Sequence, residues 1–265
     1  LASIPHVARS PLAITFSVWR ALFLREALSR IVARRAAWFW LIAEPVLHIS
    51  YLVVLYTVIR VRTIGGIDAA VWIVVGVLAY LTFQRTGTQV TGAVGSNQAL
   101  FAYRQVKPID ALLVRGALEA FLMLVSSIVL LFIAGLSGYP VMPEDPLAVL
   151  LAFCGMWLIG LGYGLVISIL IELVPELSKV LKILTRPLYF ISGVIHPMSA
   201  IPQPYRDWLM WNPLAHGIEA ARSGFASTYH AVDGVSLSYL YGCALVIVFL
   251  GLALHRRFAS RLVMR

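Results

Sequence analysis

VPELSKVLKILTRPLYFISGVIHPMSAIPQPYRDWLMWNPLAHGIEAAR, residues 174–222, is the stretch whose reading decides the fold. It opens on charged residues, turns apolar from Leu188 to Ile195, and breaks at Pro197, Pro202 and Pro204. It then restarts and breaks again at Pro213. The pieces after Pro197, roughly 198–211 and 214–225, read as amphipathic helices shorter than the ~20 apolar residues that a spanning helix needs. Broken helices at membrane depth persist only where they pack against protein or line a wet cavity. The expectation is a membrane protein that builds a plug or gate here, beside a pathway.

The composition agrees. With 60% hydrophobic and 12% charged residues among 265, the chain is too apolar for a soluble globule. The net charge of +9 would suit nucleic acid, but the basic residues flank apolar segments, which is the membrane pattern. No nucleic-acid partner is expected. Cys154 and Cys243 both lie in apolar runs and read as small buried hydrophobes rather than a disulfide framework. The first dozen residues lack the apolar core of a signal peptide, and Leu1 is not methionine. The numbering is therefore expected to begin inside the translated chain.

Working outward, six apolar segments are expected to span, at about 37–59, 69–91, 109–135, 147–171, 180–197 and 236–255. In the second, Gln84, Arg85, Thr86, Thr88 and Gln89 require protein or water around its lower half. Gly160, Gly162 and Gly164 sit in mid-span of the fourth, where small residues let helices approach closely. Residues 1–35 hold Arg9, Arg20, Arg25, Arg30, Arg34 and Arg35 against one acid, Glu26. That suits an interfacial helix whose Arg20, Arg25 and Arg30 meet lipid headgroups, or a basic leader that only sets topology. Lysine and arginine cluster on this segment, on the second and fourth turns and on the tail, which places both termini in the cytoplasm. The broken stretch 197–235 then lies on the outer side.

Two helical stripes carry polar groups into the apolar segments. Trp40, Glu44, His48 and Tyr51 share one helical face, and so do Lys182, Arg186, Tyr189, Gly193 and His196 on the fifth segment. Ionisable groups at such depths face a bundle interior or a cavity, so both stripes are expected to line a translocation path. The alternative for the charged members is snorkelling at the interface. Sugars offer apolar faces to aromatic rings and hydroxyls to polar groups, and an anionic polymer would also suit Lys182 and Arg186. The turn before Pro108 holds Asn97, Gln98, Phe101, Tyr103, Arg104 and Lys107, with aromatics and arginine of the kind that dominates protein interfaces.

Other chemistry is missing from the sequence. There is no Gly-x-x-x-x-Gly-Lys-Ser/Thr phosphate cradle, no Gly-x-Ser-x-Gly elbow and no Cys/His metal spacing. His216 and Glu219 sit one turn apart, but two ligands make no metal site. A hydrogen bond capping the broken helix is the better reading of that pair.

The composite Ile191-Ser192-Gly193, Pro197, Ile201-Pro202 and Asn212-Pro213-Leu214-Ala215-His216 with Glu219 resembles the membrane subunit of type-2 ABC exporters. Ala21–Glu26, Glu44-Pro45, Asn97-Gln98 with Leu100-Phe101, residues 106–110 and Pro187–Phe190 are similar to the inner-membrane permeases of capsular polysaccharide export. The likeness runs from about residue 21 to 255. It departs at Ala36-Ala37, where the family reads Leu-Gly.

The resemblance implies a single all-α transmembrane domain over 1–265. It would comprise an interfacial segment (1–35), six spans, a coupling helix (95–108) and two re-entrant gate helices (197–225). The gate would hold Pro197, Pro202, Asn212, Pro213, His216 and Glu219. It implies a multi-pass protein of the bacterial inner membrane that works as a homodimer with two cytoplasmic ABC ATPases, which bind the ATP and Mg. Periplasmic and outer-membrane capsule export proteins would take over a lipid-linked polysaccharide. Alternatives are the same architecture exporting O-antigen, teichoic acid or drugs, or a membrane enzyme acting on lipid-linked sugar. An enzyme would need converging carboxylates or histidines in the bundle, and the sequence shows none.

Overall fold

A computed structural model describes residues 11–32, 37–59, 62–102 and 106–259. Helices α1 (Pro11–Val32) and α2 (Ala37–Val58) come first, followed by a two-residue hairpin, β1 (Thr63–Ile64) and β2 (Ile67–Asp68). Then come α3 (Ala69–Thr91), α4 (Ala93–Ser96), a 3-10 turn (Gln98–Ala102), α5 (Pro108–Leu136), α6 (Pro146–Leu173) and α7 (Leu177–Ile191). A second 3-10 turn (Met198–Ala200) leads to α8 (Tyr205–Leu209), α9 (Pro213–Phe225) and α10 (Leu237–Arg257). Among the described residues α3, α5, α6 and α10 are long and apolar enough to cross a membrane, while α2 holds a shorter apolar stretch, Ala43–Tyr56.

The starts of these helices are written locally. Asp68 caps α3 by accepting from Ala70 N–H at 2.8 Å, Asp145 caps α6 through Ala148 N–H at 3.0 Å, and Ser236 caps α10 through Tyr239 N–H at 3.2 Å. Proline stands at the first position of α5, α6 and α9, where its missing N–H costs nothing. His255, Arg256 and Arg257 close α10 and complement the negative end of its dipole.

Helix α3 is the innermost element, with every residue from Trp72 to Phe83 buried. Helix α6 packs between α3 and α10, and its glycines let it do so. A Cβ at Gly160 would fall 2.6 Å from Phe83 O, one at Gly164 2.6 Å from Val90 Cβ, and one at Gly162 2.9 Å from Val248 N. The small-residue run is thus a two-sided packing surface.

Three expectations about elements are corrected. The helix begun at Leu177 stops at Ile191 instead of reaching residue 197, because Gly193 turns the chain at φ +74°. The first piece after Pro197 is divided: Pro202 and Pro204 separate a 3-10 turn from the five residues of α8. The cytoplasmic turn is α4 plus a 3-10 turn rather than one helix over 95–108.

Candidate functional site

Helix α9 brings the quoted stretch together. Asn212 caps it, its side-chain oxygen accepting from Leu214 N–H at 3.1 Å, while its amide nitrogen donates to Ser192 Oγ at 2.9 Å. Ser192 in turn donates to Leu188 O at 2.6 Å. The two halves of the motif, Ile191-Ser192-Gly193 and Asn212-Pro213-Leu214, therefore hold each other.

One turn on, His216 Nδ1 accepts from Ser236 N–H at 3.0 Å. That bond puts the proton on Nε2, which donates to Met210 O at 2.7 Å. Both ring nitrogens are spent on joining the end of α8 to the start of α10, as the capping reading of this histidine anticipated.

Beneath them lies Arg222, fully buried. Its guanidinium sits 3.5 Å above the Trp72 ring and donates to Gly193 O (2.8 Å), Val194 O (2.9 Å), Trp72 O (3.3 Å) and Glu219 Oε1 (3.3 Å). Glu219 also accepts from Tyr229 OH at 2.9 Å, and Trp72 Nε1 donates to that hydroxyl at 3.4 Å. A buried ion pair survives only when hydrogen bonds satisfy its remaining valences, and here they do. The cluster fixes the turn after α7 and the body of α9 onto α3. It is a binding knot without a free acid or base.

Sequence reasoning found Glu219 but not Arg222, Trp72 or Tyr229. The signal for Arg222 was present: opposite charges one turn apart in a helix that carries no other Asp, Glu, Lys or Arg. Trp72 is 150 residues from Arg222 and carried none, and Tyr229, only 10 residues after Glu219, lies beyond the end of α9 and outside its periodicity.

The stripes meet only in part. Tyr189 OH and His48 Nε2 are 3.3 Å apart, and Tyr189 packs edge-on against Tyr80 at 5.0 Å, so α2, α3 and α7 close on one another here. Tyr56 OH donates to Ile195 O just above. Glu44 pairs with Arg85 of α3 at 2.7 Å. Trp40, Tyr51, Lys182 and Arg186 are exposed. His196 is exposed beside Phe190, but Gly193 is not on the stripe: it is buried, and a Cβ there would meet Met198 at 3.0 Å. The helical spacing cannot extend past Ile191, so the assignment of Gly193 to an open path is corrected. In the gate set Pro197 precedes the 3-10 turn, Pro202 is exposed and Pro213 opens α9.

In the turn after α3 Asn97 is buried: its amide donates to Ala93 O at 2.9 Å and its oxygen accepts from Arg25. Phe101 is buried among Val90, Val94 and Leu112. Neither is an exposed docking group, because the turn folds back onto the chain's own core. Gln98 and Lys107 are exposed, and Tyr103 and Arg104 lie outside the described residues.

Of the three arginines read as headgroup ligands, Arg20 is exposed and Arg25 holds Asn97. Arg30 pairs with Glu119 and Glu26 and donates to Gln89 at 2.8 Å. Arg115 joins Glu26 at 2.7 Å. Carboxylates from α1 and α5 thus claim Arg30, which corrects its assignment to lipid. Helix α1 is staked to α3 and α5, with Trp19 Nε1 donating to Asp110 at 2.8 Å.

Comparison with known proteins supplies the lineage. Residues 17–226 match the ABC-2 type transporter family. The polysialic acid transport protein KpsM of Escherichia coli is 36% identical over 250 residues, 94% of this chain and 96% of that one. The capsule polysaccharide export inner-membrane protein CtrC of Neisseria meningitidis serogroup A is 25% identical over 244 residues, 91% of this chain and 90% of its own. The capsule polysaccharide export inner-membrane protein BexB of Haemophilus influenzae is 24% identical over 252 residues, 95% of each chain. A polytopic all-α bundle, a broken and knotted segment before its last long helix, and a family match over most of its length lead to one conclusion: this chain belongs to the ABC-2 type transporter family.

Proposed function

We propose that the chain is the membrane subunit of an ATP-driven exporter that moves lipid-linked capsular polysaccharide across the bacterial inner membrane. The observation that carries this reading is the near full-length match to KpsM. In it α2 and α7 join the four long helices to make six spans, with both termini cytoplasmic, and α8 and α9 with the turn before them form the outer gate. Two copies enclose the channel and two ABC ATPases drive it.

Helix α7 supports the pairing of two copies. Ser178, Lys182, Thr185, Arg186 and Tyr189 occupy one face of it, and none of its residues is buried in a single chain. A polar face at membrane depth needs water or protein opposite it. Trp40, Glu44, His48, Tyr51, Lys182, Arg186, Tyr189 and His196 then line the path. Gln98, Tyr103, Arg104 and Lys107 offer the ATPase a surface, and Arg20 and Arg25 face headgroups. Periplasmic and outer-membrane export proteins receive the polymer.

The test is reconstitution in vesicles with the ATPase that copurifies. ATP turnover should require this chain, and lipid-linked polysaccharide should cross only when ATP is supplied. Processing of the glycan with no ATPase present would instead identify a membrane enzyme and overturn the proposal.

A further inference from the structure

Helices α5 and α6 both pack on α3 but scarcely on each other. Near the middle of α6 they are bridged by Trp157, whose indole N–H donates to Gly116 O at 2.8 Å. From that bridge toward the start of α6 they part, and a groove of about 430 Å³ opens between them. Val75, Leu78 and Thr82 of α3 form its floor. Phe225 of α9 stands at the far end, where Gly224 O accepts from Asp145 N–H at 2.9 Å. We propose that this groove is a lipid site, which holds one acyl chain of a membrane phospholipid as a resident part of the fold and not as cargo. The proposal goes beyond the export reading and uses only the spanning helices.

The rim of the groove is continuous with the lipid-facing surface. Phe121, Leu124 and Ile128 on α5 and Leu150 on α6 are each more than half exposed, on helices long and apolar enough to span. Bilayer chains therefore already touch the mouth, and the groove carries that surface inward to the innermost helix. Among the described residues its lining holds no charged side chain. Of its two hydroxyls, Thr82 donates to Leu78 O at 2.8 Å, while Ser127 Oγ is buried without a partner. An ordered water needs two to four polar partners, so one free hydroxyl does not hold water there. The site is dry and uncharged, which suits hydrocarbon.

The shape selects a single chain. Along α5 the lining runs from Ala120 to Leu131, about 16 Å at 1.5 Å per residue, which matches one leaflet of a ~30 Å hydrocarbon core. Volume over length gives a cross-section of about 27 Å², against about 80 Å² for a helix 10 Å across. A helix of a second copy is too thick to enter, and an extended acyl chain is not. A chain seated there exchanges bulk-lipid neighbours for protein walls on three sides, so it is held by dispersion and shape match rather than by the hydrophobic effect. It supplies the lateral contact that α5 and α6 do not give each other.

The test places the full chain in nanodiscs of phosphatidylethanolamine and phosphatidylglycerol, with part of the phosphatidylethanolamine carrying a diazirine at mid-chain. Light expels N2 from the diazirine, and the carbene left behind inserts into a neighbouring C–H or S–H bond. Adducts read by peptide mass spectrometry should gather on Leu124, Leu150 and Cys154 about tenfold over Val246 and Phe249 of α10, which are exposed outside the groove. Native mass spectrometry of the wild type should show one phospholipid retained per chain. Cys154→Trp, which fills the mouth from the α6 wall, should remove that lipid and cut the Leu124 adducts about tenfold. Val246→Trp should change neither.

The wild-type adduct pattern decides the matter whether or not Cys154→Trp folds. Equal adducts on the two surfaces, or a retained lipid unmoved in a folded Cys154→Trp, would overturn the site. No glycolipid is present in the disc, so retention there separates a resident lipid from cargo. Labelling of the groove that appears only when a glycolipid is added would overturn the proposal as well.

Discussion

Arg222 makes four hydrogen bonds and one ring contact while fully buried, and three of its acceptors are main-chain carbonyls. Those carbonyls belong to the first turn of α3 and to the chain just after α7, so a single side chain joins segments about 120–150 residues apart in the sequence. Replacing Arg222 with Ala strands the Glu219 carboxylate in a dry site, at a cost of about 3–5 kcal/mol. Gly76→Ala should do much the same without touching a charge. Its Cβ would lie 2.2 Å from Arg222 Nη2, and the bonds to Gly193, Val194 and Trp72 leave that guanidinium little freedom to retreat. Thermal unfolding of both variants in detergent is the check. Wild-type midpoints in both would mean that the knot contributes nothing to stability.

At the scale of elements, α7 and the turn between α3 and α5 behave in opposite ways. The turn is anchored inward by Asn97 and Phe101, while Gln98 and Lys107 stay exposed. Helix α7 is amphipathic and none of its residues is fully buried: Thr185 and Tyr189 touch α2 and α3, while Lys182 and Arg186 stay exposed. Single cysteines at Lys182 and Arg186 should therefore react with a water-soluble thiol reagent in native membranes. Cysteines at Val180 and Leu184, on the apolar side, should stay silent. Equal labelling of the two pairs would make α7 a packing helix and remove it from the path.

For the molecule as a whole, one chain leaves Tyr51, Trp40, Lys182 and Arg186 exposed around a half-closed seam between α2 and α7. Exposed leucine, valine and phenylalanine on α5 and α10 meet lipid at no cost, but these polar groups do not. A second copy seated on the seam would give them a shared aqueous interior. Mass photometry of the chain in nanodiscs, without any ATPase, should accordingly read two copies per particle. A strictly single-copy population with intact export would overturn the homodimer.

Much of this architecture was legible in the residues themselves. Apolar length placed α3, α5, α6 and α10, because a spanning helix must be long and dry whatever surrounds it. The caps at Asp68, Asp145, Asn212 and Ser236 came from the structure, although each is a contact within one turn. The joined wording of Ser192-Gly193 and Asn212-Pro213 pointed to the family, and His216 read correctly as a structural group.

Contacts between distant segments were not legible, and they decided four assignments. Arg30 looked like a headgroup ligand until Glu119, 89 residues away, claimed it. Asn97 and Phe101 looked exposed until α1 and α5 covered them. Gly193 looked like an open face until Met198 and the reach of Arg222 buried it. Hydropathy and periodicity report what a residue needs around it. Which partner meets that need depends on chain segments that only the folded bundle brings within a few ångströms.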